Sequence, residues 1–466
     1  MYDKYNFYYP IFFSVLFLSF SFTMQVFMHS ALPALINYLF LGYALLRSPS
    51  NNFNTNFFFT VSAADLVLSF FIFMALFNSL WQLTFEFITP TQFLNSIVIC
   101  LLPFSYYIFF CNSSNFGYLK TLLWGIAIAG LINGVYGIYE SVGKFNGVIQ
   151  SYANAAHWYS IERMGQSMID SNNTRISLSG RSMGLLEKHT ISAAWISFGC
   201  FAALALSSNK KYLRIFILIM YGGMLLILYN GTSIIAFGIV VCLFEYNLYT
   251  IFMGFLRKKS INSVLCGICL AGLIVFMGTN FEIPYVDRYL EVLITQKEII
   301  MGSSNVAYLN EGYFGSMFNS AVGFFKELHE RPNIFFFGQG FSFSYGVDVG
   351  GDFGIIETLY LLGLPLFILI VTGLFFLLAK YIKLIGGLNR SRQFLIMKEC
   401  KFALSIIVYV LLTEIHYSIW YTKSIFPIFL VALSVLLTRK KLHRHQSEIK
   451  DFLIAGPIAK NLPRLG

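Results

Sequence analysis

The sequence predicts an all-α polytopic integral membrane protein of about twelve transmembrane helices with two large outer loops. Three observations lead there. The chain of 466 residues is 57% hydrophobic and only 12% charged, with a mean hydropathy of +0.68, whereas a soluble domain is about a quarter charged. Apolar runs of roughly twenty residues, the length that crosses a hydrocarbon core, recur from one end to the other. Lys and Arg gather in alternate connections between those runs, as they do on the cytoplasmic side of membrane proteins.

The runs begin near Tyr8, Ala31, Phe57, Gln92, Thr121, Thr190, Tyr212, Ser233, Ile261, Gly354, Phe402 and Ser424. No small-residue cleavage site follows the first, which is therefore expected to be a retained span rather than a signal peptide. With both termini cytoplasmic, the connections holding Lys210, Lys211 and Arg214, then Arg257, Lys258 and Lys259, then Lys380, Lys383, Arg390, Arg392 and Lys398 all face the cytoplasm. Turns on the other side, around Ser30, Phe85 and Gly231, carry almost no basic residues, and an even number of helices satisfies the whole pattern. The organisation expected is one transmembrane domain over residues 1–466. Its first outer loop covers residues 140–188, its second residues 281–353, and a basic cytoplasmic tail residues 439–466.

The net charge of +10 is then the signature of the cytoplasmic face and of the tail RKKLHRH, which anionic headgroups also attract, and it excludes the need for a nucleic-acid partner. Seven cysteines lie mostly within spans and none in the large loops, against a disulfide framework. Cys266 and Cys269 form a CxxC inside an apolar helix, a coincidence rather than a redox motif. No repeat of fixed period supports an inverted-repeat transporter. Aromatics reach 18% of residues, with 51 Phe and 28 Tyr, more than interfacial belts need; most are expected on a lipid-facing surface, the rest as stacking surfaces for sugars.

Chemistry concentrates in the outer loops. From Gly338 to Gly363 the sequence GQGFSFSYGVDVGGDFGIIETLYLLG takes a glycine-rich, aromatic, acid-bearing loop into an apolar helix at Gly354, with Gly346, Gly350, Gly351 and Gly354 permitting close backbone approach to a ligand. Tyr345, Asp348 and Asp352 offer a hydroxyl and two carboxylates at the water–lipid boundary, which suits a polar headgroup on a lipid tail. Glu357 stands one turn into the helix, where a charge is costly unless it faces a cavity. Glu414, His416 and Tyr417, in TEIHYSIWY, read either as sugar contacts or as a buried satisfied cluster. Asp65 reads as structural.

The first outer loop ends SLSGRSMGLLEKHT and puts Arg181 between Gly180 and Gly184 shortly before a helix, where its fork can reach a phosphate. Arg163, Arg175, Lys188 and His189 lie nearby; Arg163 and Arg175 read as solvated loop charges. In the second loop FEIPYVDRYLEVLITQKEII and FNSAVGFFKELHE have the pattern of amphipathic helices lying on the membrane surface. Arg288, in the first of these, serves equally as a ligand contact or as a salt-bridge partner of Glu291. Asp348 and Asp352 could hold a divalent cation, but two arginines neutralise a diphosphate as well, and DVGGD is no established metal spacing. No metal or other cofactor is expected.

This order of features resembles the superfamily of O-antigen polymerases and ligases of bacterial surface-polysaccharide assembly. GRSMG with Arg181 is similar to the family's Arg-Gly segment before a central helix. YNGTSIIAFGIVV is similar to its tight outer turn and Ser/Gly-bearing helix, and PNIFFFGQGFSF with DFGIIETLYLLGL to its Gly-x-Gly loop and closing helix. Ligases carry a histidine where this chain has Asp352, which favours a polymerase. A second arginine that relatives place before the Pro-Asn segment has one counterpart here, Arg331, which abuts Pro332.

The resemblance implies a GT-C-like glycosyltransferase of the bacterial inner membrane, with its site on the periplasmic side. It would move a growing chain from undecaprenyl diphosphate to the non-reducing end of a new undecaprenyl-diphosphate-linked unit, alongside a flippase and a chain-length regulator. Arg181 and Arg288 would stabilise the departing diphosphate and Asp352 would take or orient the hydroxyl proton. Tyr345, Asp348, Glu357, His189, Glu414 and His416 would bind substrate. The rivals are a ligase joining polymer to lipid A-core and a flippase for lipid-linked oligosaccharide. A flippase would place charges within its spans, whereas here they gather in two outer loops.

Overall fold

The computed structural model describes residues 8–20, 35–39, 42–43, 63–84, 89–112, 116–141, 185–186, 189–207, 210–228, 231–245, 322–326, 329–330, 332–340, 354–390, 394–415, 418–422 and 424–437. Every regular element among them is helical: α1 Tyr8–Ser19, α2 Ala63–Thr84, α3 Pro90–Asn112, α4 Phe116–Ser141, α5 His189–Leu206, α6 Lys211–Ile227, α7 Gly231–Phe244, α8 Pro332–Phe337, α9 Gly354–Leu362, α10 Leu364–Arg390, α11 Phe394–Thr413 and α12 Phe426–Leu437. Residues 322–326 add a short helical turn. Two helices among the described residues, Tyr118–Tyr139 within α4 and His189–Leu206, are long and apolar enough to cross a membrane. Gly354–Leu362 and Leu364–Leu378 qualify together but are bent by 119°. The described residues are thus those of an all-helical membrane protein.

The centre of the bundle is α5. From Thr190 to Ala202 it is buried without a break, as a helix that is apolar all round must be. It packs against α4, α6, α7 and α11. Its closest neighbour is α4, because Gly130 and Gly199 face each other at the crossing: a β-carbon on Gly130 would sit 2.5 Å from the Trp195 carbonyl oxygen and 2.8 Å from the Gly199 Cα. Small residues at such a crossing gain packing that lipid cannot supply. The Tyr221 hydroxyl ties α6 to α4 by donating to the Ala127 carbonyl at 2.8 Å.

The outer faces carry large apolar side chains. On α2, Phe70, Phe73 and Phe77 are exposed at helical spacing, and on α10 Phe375 and Phe376 are each 68% exposed. These rings belong to the lipid-facing surface expected for most of the aromatics.

Helices start within a few residues of most of the expected positions, but three expectations need correction. The run from Gly354 is not one straight span: Gly363, at φ +71°, breaks it, a backbone conformation that costs other residues strain. Lys380, Lys383 and Arg390 lie within α10 rather than in a connection. Likewise α11 starts at Phe394, ahead of the expected Phe402, and takes in Lys398; a basic residue in a terminal turn can still reach the interface. The run expected at Ile261 lies outside the described residues, as do the loop residues 142–184 and the tail 439–466.

Candidate functional site

The glycine-rich stretch is tied at both ends. Gly338 and Gly340, both at positive φ, form a turn whose N–H groups run along the end of α9: Gln339 N–H donates to the Tyr360 carbonyl at 2.8 Å and Gly340 N–H to the Leu361 carbonyl at 3.0 Å. A β-carbon on Gly338 would lie 2.6 Å from the Gly363 nitrogen, and one on Gly363 would lie 2.6 Å from the Gly338 nitrogen. The two glycines that bound the motif therefore press backbone against backbone. From α2, the Asn78 amide donates to the Phe337 carbonyl at 3.1 Å and to the Gly338 carbonyl, while Gln82 donates to the Gln339 carbonyl. At this neck the Gly-x-Gly turn serves the fold: Gly338 meets the backbone of Leu361 to Gly363, and Gly340 packs on Ala75 and Asn78 of α2.

The two faces of α9 have different tasks. Ile356 and Tyr360 pack on Phe324 and Ile334, closing a small apolar cluster beneath the 322–326 turn and α8. Glu357 and Thr358 instead meet the segment that follows α11. The Tyr421 hydroxyl donates to the half-buried Glu357 carboxylate, which lies in the first turn of α9, where a helix N-terminus favours negative charge.

Beside it Glu414 is buried, 8% exposed, one residue past α11. Its carboxylate accepts from the Thr358 hydroxyl at 2.8 Å, the Ser418 hydroxyl at 3.3 Å and the Ile419 N–H at 3.2 Å. Thr358 Oγ1 also accepts from the Trp420 indole N–H at 2.9 Å and shares a 2.9 Å bond with Ser418. A hydroxyl has one proton and two lone pairs, so Thr358 gives its proton to Glu414 and receives from Trp420, while the single Ser418 proton is shared between Glu414 and Thr358 Oγ1. Trp420 is fixed in turn by edge contact with the Phe426 ring at 5.2 Å.

Of the residues expected to act, Glu357 and Glu414 are thus brought to one end of the bundle on neighbouring elements. Glu414 takes the second of its two readings, a buried carboxylate satisfied by hydroxyl and amide donors. Glu357 is the more accessible of the two. His189 is the first residue of α5, half-buried. Arg181, Arg288, Tyr345, Asp348, Asp352 and His416 lie outside the described residues. Thr358, Ser418, Trp420 and Tyr421 carry no signal in the sequence beyond the i, i+4 spacing of Glu414 and Ser418. Asn78 and Gln82 are two amides with the same spacing in α2.

A half-buried carboxylate steadied by a phenol can accept a proton or orient a hydroxyl. A fully bonded buried one holds elements together. No family model matches this chain, and no curated protein is similar to it.

Proposed function

We propose that this membrane protein is a glycosyltransferase that polymerises lipid-linked repeat units of a bacterial surface polysaccharide on the periplasmic face of the inner membrane. The observation that carries the reading is the neck at Gly338 and Gly363. The neck closes the stretch of sequence from Gly338 to Gly363, which carries Tyr345, Asp348 and Asp352 as well as the half-buried Glu357, onto one end of a helical membrane bundle. The motif order that resembles O-antigen polymerases, and the position of Asp352 where ligases carry histidine, supply the substrate class.

In the reaction a hydroxyl at the non-reducing end of the incoming unit attacks the anomeric carbon of the growing chain. The bond from that carbon to the diphosphate oxygen breaks, and undecaprenyl diphosphate departs with the electron pair. Arg181 and Arg288 neutralise the charge gathered there, each charge-assisted hydrogen bond contributing about 1.5–3 kcal/mol. Asp352 receives the hydroxyl proton, with Asp348 and Glu357 as further acids, and Tyr345, His189, Glu414 and His416 shape the surroundings.

The test is the gel profile of surface lipopolysaccharide from cells lacking the gene, compared with cells in which the wild type or Arg181→Ala, Arg288→Ala or Asp352→Ala is restored. Core capped by a single repeat, with normal protein levels, is the expected result for the deletion and for each variant. Bare core would assign the chain to ligation or flipping instead, and normal polymer from all three variants would remove the proposed site.

A further inference from the structure

Three oxygen contacts around Glu414 close on themselves. Glu414 Oε2 lies 2.8 Å from Thr358 Oγ1, Thr358 Oγ1 lies 2.9 Å from Ser418 Oγ, and Ser418 Oγ lies 3.3 Å from Glu414 Oε1. The Ile419 N–H also reaches Oε1, and the Trp420 N–H occupies one lone pair of Thr358. With Glu414 ionised, the two hydroxyls bring two protons to three contacts, so one contact at any moment has no proton in it.

A proton on Glu414 Oε2 fills that gap. Glu414 then donates to Thr358, Thr358 to Ser418, and Ser418 back to Oε1. Thr358 accepts from Glu414 and Trp420, its full capacity, and Oε1 accepts from Ser418 and Ile419. The three bonds run head to tail, an arrangement in which each polarises the next.

The surroundings favour the neutral acid as well. Glu414, Thr358 and Ser418 are all buried, and Glu414 follows the twenty residues of α11, a full crossing, at the end of the bundle. Among the described residues Glu414 pairs with no cation, and the charge that acts on it is that of Glu357 on α9, itself bonded by the Tyr421 hydroxyl. Neighbouring carboxylates resist ionising together. Burial first, and then Glu357, push Glu414 up to about 8 against the pull of its three donors.

We propose that Glu414 is a proton-binding site: it takes one proton from water, and that proton closes the ring that latches α9 to the segment following α11. When the proton leaves, one bond of the latch goes with it, and a second negative charge stands beside Glu357. The site is independent of the polymerase reading, and its test reads protonation rather than polymer. The folded chain holds this proton to higher pH than the unfolded chain, whose glutamate titrates at about 4.3. Its contribution to stability is therefore complete below that value and is lost as pH rises through about 8.

The test follows the full chain, purified in detergent, by infrared spectroscopy and by unfolding temperature from about pH 6 to about pH 10, two units either side of the expected midpoint. Wild type is expected to show the C=O stretching band of a protonated carboxyl that fades as pH rises and that Glu414→Gln lacks. Thr358→Val, which removes the acceptor of the proton, should shift that band. His416, two residues along, titrates near neutrality but contributes no carboxyl band. In Glu414→Gln an amide N–H stands in for the proton, so the wild-type unfolding temperature should fall by a few degrees more than that of the variant over the same range. The assignment is overturned if no carboxyl band distinguishes wild type from Glu414→Gln, if Thr358→Val leaves the band unmoved, or if both chains lose stability in parallel.

Discussion

The two ends of the bundle solve the same problem, polar groups at a helix end, with opposite chemistry. At the Glu414 end a carboxylate is satisfied by neutral donors, Thr358, Ser418 and the Ile419 N–H, braced by Trp420. At the Lys398 end, cations reach the carbonyls of Ser207, Leu204 and Phe244 that the helix ends leave without partners. The first arrangement is short-ranged and directional, so it fixes geometry. The second is longer-ranged and less directional. One end is thus held by directional bonds from neutral donors and the other by charge.

The most severe way to break the rigid end is Gly363→Ala. A side chain there must adopt φ +71° and meet the backbone of Phe336 and Gly338, for an expected loss of about 4 kcal/mol. Fluorescence-detected size-exclusion chromatography should find little folded protein, and a normal peak would mean that the neck yields easily. Glu414→Ala comes next, because it leaves a hydroxyl and an amide buried without their acceptor. About 3 kcal/mol is expected, read as a fall in unfolding temperature, whereas Glu414→Gln should recover much of it.

At the charged end, Glu245→Ala leaves Arg214 without its carboxylate, and about 1 kcal/mol is expected. Its test is salt: near 0.5 M the screening length falls to about 4 Å, and the difference from wild type should shrink. Trp420→Phe, the mildest change, keeps the ring contacts with Phe71 and Phe426 and loses one donor to Thr358. About 1 kcal/mol or less is expected, unchanged by salt. If salt moved the Trp420 variant and not the Glu245 variant, the contrast between the two ends would fail.

Much of this layout was legible in the sequence because hydropathy reports span position directly: α5, α6, α7 and α9 begin within two residues of the expected starts. Glu357 and Glu414 were legible for the same reason, as charges that an apolar helix tolerates only with a partner or a cavity. The break at Gly363 was not, since the apolar run continues across Leu362, Leu364 and Leu366, and hydropathy carries no record of backbone sign. Thr358 and Trp420 were equally opaque. Their bonds join residues some sixty positions apart, and a threonine or tryptophan in an apolar stretch looks the same whether it faces lipid or a carboxylate. Asn78 and Gln82 could have been noticed as paired amides, but the Gly338 and Gln339 carbonyls they hold are more than 250 residues away.

The meeting of Gly338 and Gly363 also works as a knot tied below a purse. Chain inserted after Gly340 and before Gly354 is expected to leave that contact as it is, because a longer closure costs only about 0.6 kcal/mol more for each doubling of its length.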